Sequence, residues 1–100
     1  MQQAKPQFRL GQVVATPGAL DAFQRTGQSP TIFLQRHAAG DWGDLCDEDK
    51  RANDAAIAHE GDPERHARVL SAYRLKDQTK IWIISEHDRS ATTILLPSEY

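Results

Sequence analysis

The sequence contains very little cysteine and no long hydrophobic run. Cys46 is the single cysteine among 100 residues, which excludes an intramolecular disulfide and indicates a reducing compartment. No apolar stretch approaches the length of a membrane span, and the polar residues 1–6 lack the apolar core of a signal peptide. We therefore expect a cytoplasmic protein that makes no membrane contact.

An excess of positive charge is also missing. The formal net charge is -2, with 12 Lys and Arg against 14 Asp and Glu, so nucleic acid is not favoured as a partner. The chain is long enough for one domain with a core of its own. We expect residues 1–10 to form a flexible lead-in and residues 11–100 to form a single domain.

The sequence lacks catalytic and cofactor motifs as well. It has no P-loop, no dinucleotide-binding glycine pattern and no nucleophile elbow. None of its histidines or its cysteine is spaced as a metal-binding pair, so we predict no metal site and no cofactor. We expect surface or capping roles for the four histidines, His37, His59, His66 and His87. A protein without enzymatic activity is favoured.

Three hydrophobic runs in the C-terminal third predict the strands around which the fold is organised. They lie within residues 69–75, 81–84 and 92–96, separated by short polar links. Because such links cannot carry a parallel crossover, we predict an antiparallel meander. We expect Tyr73 and Trp82 to share the sheet face that points away from the helices.

The N-terminal half predicts a short strand followed by helices. Residues 12–16 are a strand candidate that can pair with an edge of the meander. A hydroxyl residue followed by proline is a typical helix start, and it occurs at Thr16-Pro17 and Ser29-Pro30. Gly27 and Gly40 are typical of the ends of these two helices.

A third helix is predicted from about Cys46 to His59, with a buried stripe of small residues formed by Ala52, Ala55 and Ala56. The element order is then β-α-α-α-β-β-β. Helices that are segregated from an antiparallel sheet define an α+β domain.

Residues 86–90, between the second and third predicted strands of the meander, contain five chemically capable side chains. A metal-independent ribonuclease requires a base, an acid and a cation. Three side chains of this loop match these roles: Glu86, His87 and Arg89. Polar residues are also typical of any loop between two apolar strands, and this simpler interpretation is favoured.

Trp42 lies between two glycines and two aspartates, and it has two interpretations. It either covers the core between helices or projects as an interface anchor, since tryptophan is frequent in binding hot spots. In the second case, the predicted binding surface consists of Trp42, Asp41 and Asp44, with Asp88 and Arg89 from the later hairpin.

Several segments resemble a family of small uncharacterised bacterial proteins found on plasmids and other mobile elements. The resemblance depends on residues 40–45, 80–86, 88–90 and 92–100, together with Asn53. Members are labelled "plasmid-related protein" or "type I restriction endonuclease subunit M". An adenine methyltransferase needs a doubly wound domain and an Asn-Pro-Pro-aromatic loop, and this chain has neither the length nor the loop.

These observations favour a small protein-binding modulator of mobile elements, linked to restriction or anti-phage defence. We expect its partner to be another protein, and a homodimer is a further option. Two alternatives stay open: a compact ribonuclease-type toxin, and an accessory domain with no catalytic site.

Overall fold

Three helices pack on a four-stranded sheet in the computed structural model, which describes residues 5–60, 62 and 67–100. The elements follow the predicted order and confirm an α+β domain. Their bounds are β1 Gln12–Ala15, α1 Pro17–Thr26, α2 Pro30–Ala38, α3 Asp47–Ala58, β2 Val69–Arg74, β3 Lys80–Ser85 and β4 Ala91–Leu95. A 3-10 turn, Pro97–Glu99, follows β4.

The sheet is mixed, with the strand order β1-β4-β3-β2. β3 pairs antiparallel with both β2 and β4, as the short links require. β1 pairs parallel with β4, and the long chain between them permits the crossover that a parallel pair requires. The predicted three-stranded antiparallel meander is thus corrected to a four-stranded mixed sheet that contains those strands.

The predicted caps form at the first two helices. The Thr16 hydroxyl accepts from the backbone N–H of Ala19, and the Ser29 hydroxyl accepts from that of Thr31. Gly27 ends α1 in the left-handed conformation, with φ 68°. α3 lacks a side-chain cap bond at Cys46, but three acids in its first turn interact favourably with the helix dipole.

All three helices cover the same face of the sheet. Ala22 and Phe23 of α1 and Phe33 of α2 pack on Ile81 and Ile83 of β3. In α3, Ala56 is buried against Val69 of β2. The predicted alanine stripe is corrected, because Ala52 and Ala55 are exposed while Ala56 and the polar Asn53 are buried.

Tyr73 and Trp82 lie on opposite faces of the sheet, contrary to our expectation. Tyr73 is paired with Ile81, and both side chains are in the buried core beneath the helices. Trp82 is paired with Ala72, and the alternation along the strand directs both to the second face. The register of β2 against β3 decides this, and the sequence contains no direct signal for it.

The expected flexible lead-in over residues 1–10 is packed against the domain where the structure describes it. The Phe8 ring is buried, and the backbone N–H of Gln7 donates to the Ala38 carbonyl oxygen at 2.7 Å. The Leu10 carbonyl oxygen accepts from the Thr92 hydroxyl at 2.7 Å. The domain therefore begins before residue 11.

The outer edge of β2 is closed by a loop and by a side chain. Gly43 forms a parallel bridge with Ala72, at a φ of 77° that favours glycine, and a Cβ there would lie 2.1 Å from the Ala72 carbonyl oxygen. The Asn53 amide donates to the Leu70 carbonyl oxygen at 2.7 Å and accepts from its N–H at 3.2 Å. This edge consequently has no room for a further strand.

Within the described residues, every helix is too short or too polar to cross a membrane.

Candidate functional site

Trp42 is inside the domain, with 3% of its surface exposed. Its ring packs against Phe8 and His37, with centroids 6.2 and 5.7 Å away. Its indole Nε1–H donates to the Asp54 carboxylate at 2.9 Å. The side chain therefore covers the core, which is the first of its two predicted roles. Because a partner cannot reach it, Trp42 is not part of a binding surface.

Asp41 and Asp44 are exposed on either side of the Gly43 bridge, and each is matched with an arginine. The Arg36 Nε–H donates to Asp41 at 2.7 Å, and this bond lowers the pKa of Asp41. The Arg74 Nε–H donates to Asp44 at 3.1 Å. The acidic pair is thus locally neutralised and does not form a net negative patch.

Arg89 is buried in the turn between β3 and β4, with 5% of its surface exposed. Its Nε and Nη2 donate to the Glu60 carboxylate at 2.9–3.1 Å. Its Nη1 donates to the carbonyl oxygens of Ala67 and Glu86, both at 2.8 Å, and the guanidinium lies 5.2 Å from the Phe8 ring centroid. The ribonuclease alternative requires this cation to meet a phosphate, but internal bonds already hold it.

The other side chains of the turn remain near the surface. Glu86 lies 3.7 Å from the Arg68 guanidinium, and His87 is exposed. Asp88 accepts from Ser90, and these hydrogen bonds lower the pKa of Asp88. Asp88 therefore stabilises the turn. Glu86 and His87 are thus adjacent near the surface. Arg89, the cation of the predicted ribonuclease site, is buried and bonded within the protein.

A buried polar chain crosses the sheet at His37, which the sequence predicted to be on the surface. The His37 Nδ1 lies 2.5 Å from the Ser71 hydroxyl, and its Nε2 lies 2.9 Å from the Ser85 hydroxyl. Ser85 in turn bonds to Thr92 at 2.7 Å, and Thr92 donates to the Leu10 carbonyl oxygen. The four side chains are fully buried, so each polar atom is matched within the protein.

Burial lowers the pKa of His37 to about 3, and the nearby Arg89 charge acts in the same direction. The imidazole is thus neutral at ordinary pH, which lets its two nitrogens take one donor and one acceptor role. A histidine–serine contact of this kind can activate a nucleophile only where substrate has access. Here it is enclosed, and it joins α2 to β2 and β3.

The second face of the sheet carries a groove of about 330 Å³. Leu70, the half-buried Trp82 and Ile84 form an apolar floor, with Arg68 and Tyr100 at the rim. The Tyr100 ring is 71% exposed and meets the edge of Trp82, with centroids 5.7 Å apart. The Arg68 guanidinium lies 5.8 Å from the Tyr100 ring centroid and donates to its hydroxyl at 3.3 Å.

This face carries basic charge and no acid along its strands. Strand alternation places Arg74 of β2 and Lys80 of β3 on it, beside Trp82. The other strand positions on this face are uncharged: Gln12, Val14, Leu70, Ala72, Ile84, Ala91, Thr93 and Leu95. An exposed apolar groove with aromatic and arginine side chains has the composition of a binding surface.

A larger depression of about 640 Å³ lies between the N-terminal segment and the β3–β4 turn. Two of its polar groups are already matched with each other, since Arg89 bonds to Glu60. Asp88 is likewise engaged with Ser90. Arg89, Glu60 and Asp88 in this depression are therefore already engaged by bonds within the protein.

Across residues 5–60, 62 and 67–100, no three His, Cys, Asp or Glu side chains converge as metal ligands would. His66, one of the histidines considered from the sequence, lies outside the described residues. Within the described part, Cys46 is exposed at the start of α3.

Neither protein-family models, nor curated proteins, nor solved structures yield a match to this chain.

Proposed function

We propose that this protein is a non-catalytic domain that binds another protein through the open face of its sheet. The observation that carries the proposal is the groove formed by Arg68, Leu70, Trp82, Ile84 and Tyr100. It combines an apolar floor with an arginine rim, whereas Trp42, the anchor expected from the sequence, is buried.

The partner's contact segment has an apolar or aromatic side chain next to a carboxylate. The apolar group fits the floor of Leu70, Trp82 and Ile84, and the carboxylate fits Arg68 at the rim. Lys80 adds a positive charge on the same face, whereas the charge of Arg74 is matched by Asp44. Electrostatic complementarity of this kind supplies orientation and a faster association rate.

A protein fits this surface better than a nucleic acid does. The net charge of the chain is -2, and both Arg68 and Arg74 already have an acidic neighbour, Glu86 and Asp44. Neutralising a phosphate backbone requires several free cations in a row. The groove instead offers one apolar site with a charged rim.

The resemblance to plasmid-borne proteins extends the proposal to the partner's origin. It suggests a component of a restriction or anti-phage defence system. This extension is supported by the resemblance alone and is tested by the identity of the captured protein.

The test is affinity capture of the tagged protein from a nuclease-treated lysate of its host, followed by calorimetry with the purified partner. Arg68→Glu and Tyr100→Ala should each weaken binding by about tenfold or more, because both side chains are at the rim. Arg51→Glu makes the same charge change at an exposed position of α3 and should leave affinity within about twofold.

Three outcomes would contradict the proposal. Equal binding by wild type, Arg68→Glu and Tyr100→Ala would move the interface away from the groove. Specific binding of single-stranded RNA or DNA would replace the protein partner by a nucleic acid. Cleavage of RNA by the purified protein would make it an enzyme.

A further inference from the structure

β1 is an open edge of the sheet. The Gln12 N–H donates to the Ser90 carbonyl oxygen, and the Thr16 N–H donates to the Ile94 carbonyl oxygen, both at 3.0 Å. Alternate residues of a strand direct their backbone groups to opposite edges. Val13 and Ala15 therefore direct their N–H and C=O groups outward, where no described residue bonds to them.

Apart from its length of four residues, this edge lacks the features that keep sheets apart. Natural edge strands are very short or carry charged side chains, proline or a bulge. Gln12–Ala15 contains no charge and no proline, and its register with β4 is continuous. Val13 and Val14 are 43% and 41% exposed. The opposite edge, by contrast, is closed by Gly43 and Asn53.

We propose that β1 pairs antiparallel with β1 of a second copy of this chain. The outward residues must face each other, so Val13 pairs with the second copy's Ala15, and Ala15 with the second copy's Val13. Each of these two pairs exchanges both of its backbone hydrogen bonds. Val14 then lies on the two-fold axis, directly opposite the second copy's Val14.

The residues on either side of β1 exclude the neighbouring registers. A pair centred on Val13 would place Gly11 opposite the second copy's Ala15, but Gly11 has a φ of 65° and is not extended. A pair centred on Ala15 would place Pro17, which has no N–H, opposite the second copy's Val13. The register centred on Val14 is the one that satisfies all the outward groups.

A second copy fits this edge because the edge is complementary to itself. An isologous contact places identical residues near the axis, where like charges would repel. The axis here meets the uncharged, half-exposed Val14. Two apolar side chains that face each other across an antiparallel pair stabilise it.

The dimer places both helical layers on one side and both open faces on the other, because the two-fold axis is perpendicular to the sheet. The two grooves, each centred between β2 and β3, then lie about six strand spacings apart, which is about 30 Å in a flat sheet. A partner with two contact segments would be held more tightly through effective concentration. This consequence rests on the proposed function, but the dimer itself does not.

The first test is the mass of the full chain in solution, measured by light scattering over a concentration series. The mass should rise from 11.2 kDa towards twice that value. Val14→Lys places two like charges opposite each other and should abolish the rise. Ile32→Lys makes the same change at a side chain that is 60% exposed on α2 and should leave the rise intact.

The second test is cross-linking, which does not require Val14→Lys to fold normally. In a Cys46→Ser background, Val14→Cys should form an intermolecular disulfide on mild oxidation, since non-hydrogen-bonded antiparallel pairs have Cα atoms about 4.5 Å apart. Val13→Cys should cross-link at least about tenfold more slowly, because the two copies of position 13 are offset along the strands.

Each result decides the matter. A monomeric wild type at every concentration, or a dimer that persists in Val14→Lys, would overturn the proposal. Equal cross-linking at positions 13 and 14 would overturn the register. If Val14→Lys loses the dimer but keeps its affinity for a groove ligand, the result supports the proposed dimer. It also shows that the proposed function does not depend on the dimer.

Discussion

His37 shows how strongly the environment of one residue controls its chemistry. Its ring is enclosed by Phe8 and Trp42, and its two nitrogens meet hydroxyls from β2 and β3. Adding a proton would place a charge in a fully buried site and would turn both nitrogens into donors. The neutral ring is therefore part of the native structure.

Lowering the pH from 7 to 5 should destabilise the protein through His37. The pKa falls from 6.5 to about 3 on folding, so between these values the unfolded state binds the extra proton. The contribution of neutral His37 to the free energy of unfolding is therefore fully present above about pH 6.5. It decreases below that pH, by up to about 2 kcal/mol at pH 5. Urea unfolding at the two pH values measures this loss.

The matched variant is His37→Gln, which keeps a donor and an acceptor but does not titrate. We expect it to be less stable at pH 7 and to lose less on going to pH 5. An equal loss in wild type and His37→Gln would show that other groups cause the pH dependence.

At the scale of elements, α3 acts chiefly as a cover for the edge of β2. Its predicted stripe of alanines contributes Ala56, but Asn53 makes the specific contact. The amide bonds to both the N–H and the C=O of Leu70, as a neighbouring strand would do. A polar side chain therefore replaces the backbone ladder at this point.

Replacing Asn53 by Ala should destabilise the protein by about 1–3 kcal/mol, because two backbone groups of Leu70 lose their partner. Amide hydrogen exchange should show that the Leu70 N–H loses its protection. Arg51→Ala, an exposed change two residues earlier on α3, serves as the control. Unchanged protection at Leu70 would mean that the edge is closed without Asn53.

At the scale of the whole molecule, Glu99 connects the C-terminal turn to the junction between β1 and α1. Its carboxylate accepts from the Thr16 hydroxyl, from the Gly18 N–H at 3.1 Å and from the Leu96 N–H at 2.9 Å. These bonds connect the end of β1 and the start of α1 to the turn after β4. They also lower the pKa of Glu99.

We expect Glu99→Gln to lower the melting temperature at pH 7. A carboxylate whose pKa is lowered on folding stabilises the protein above its ordinary pKa, and this contribution is lost as the pH falls through its folded value. The difference between wild type and variant should therefore shrink in thermal melts as the pH is lowered below the ordinary pKa of a glutamate, about 4.3. The control is Glu48→Gln, an exposed change at the start of α3, which should lower the melting temperature less. An equal decrease in both variants would show that Glu99 has no special role.

The amino-acid sequence by itself determined the local structure. Thr16-Pro17 and Ser29-Pro30 mark the helix starts, and the apolar runs with short links specify β2 to β4 as antiparallel neighbours. Capping, fixed proline dihedrals and short loops act over a few residues, so they can be predicted from the chain alone.

The tertiary structure alone decided which side chains are available for binding. Trp42, Arg89 and His37 are ordinary candidates for function in the sequence, but contacts with distant segments bury all three. Trp82 is left half-exposed by the same register that buries Tyr73. Burial depends on pairing between residues far apart in the chain, and periodicity within one strand does not reveal which face the helices will cover.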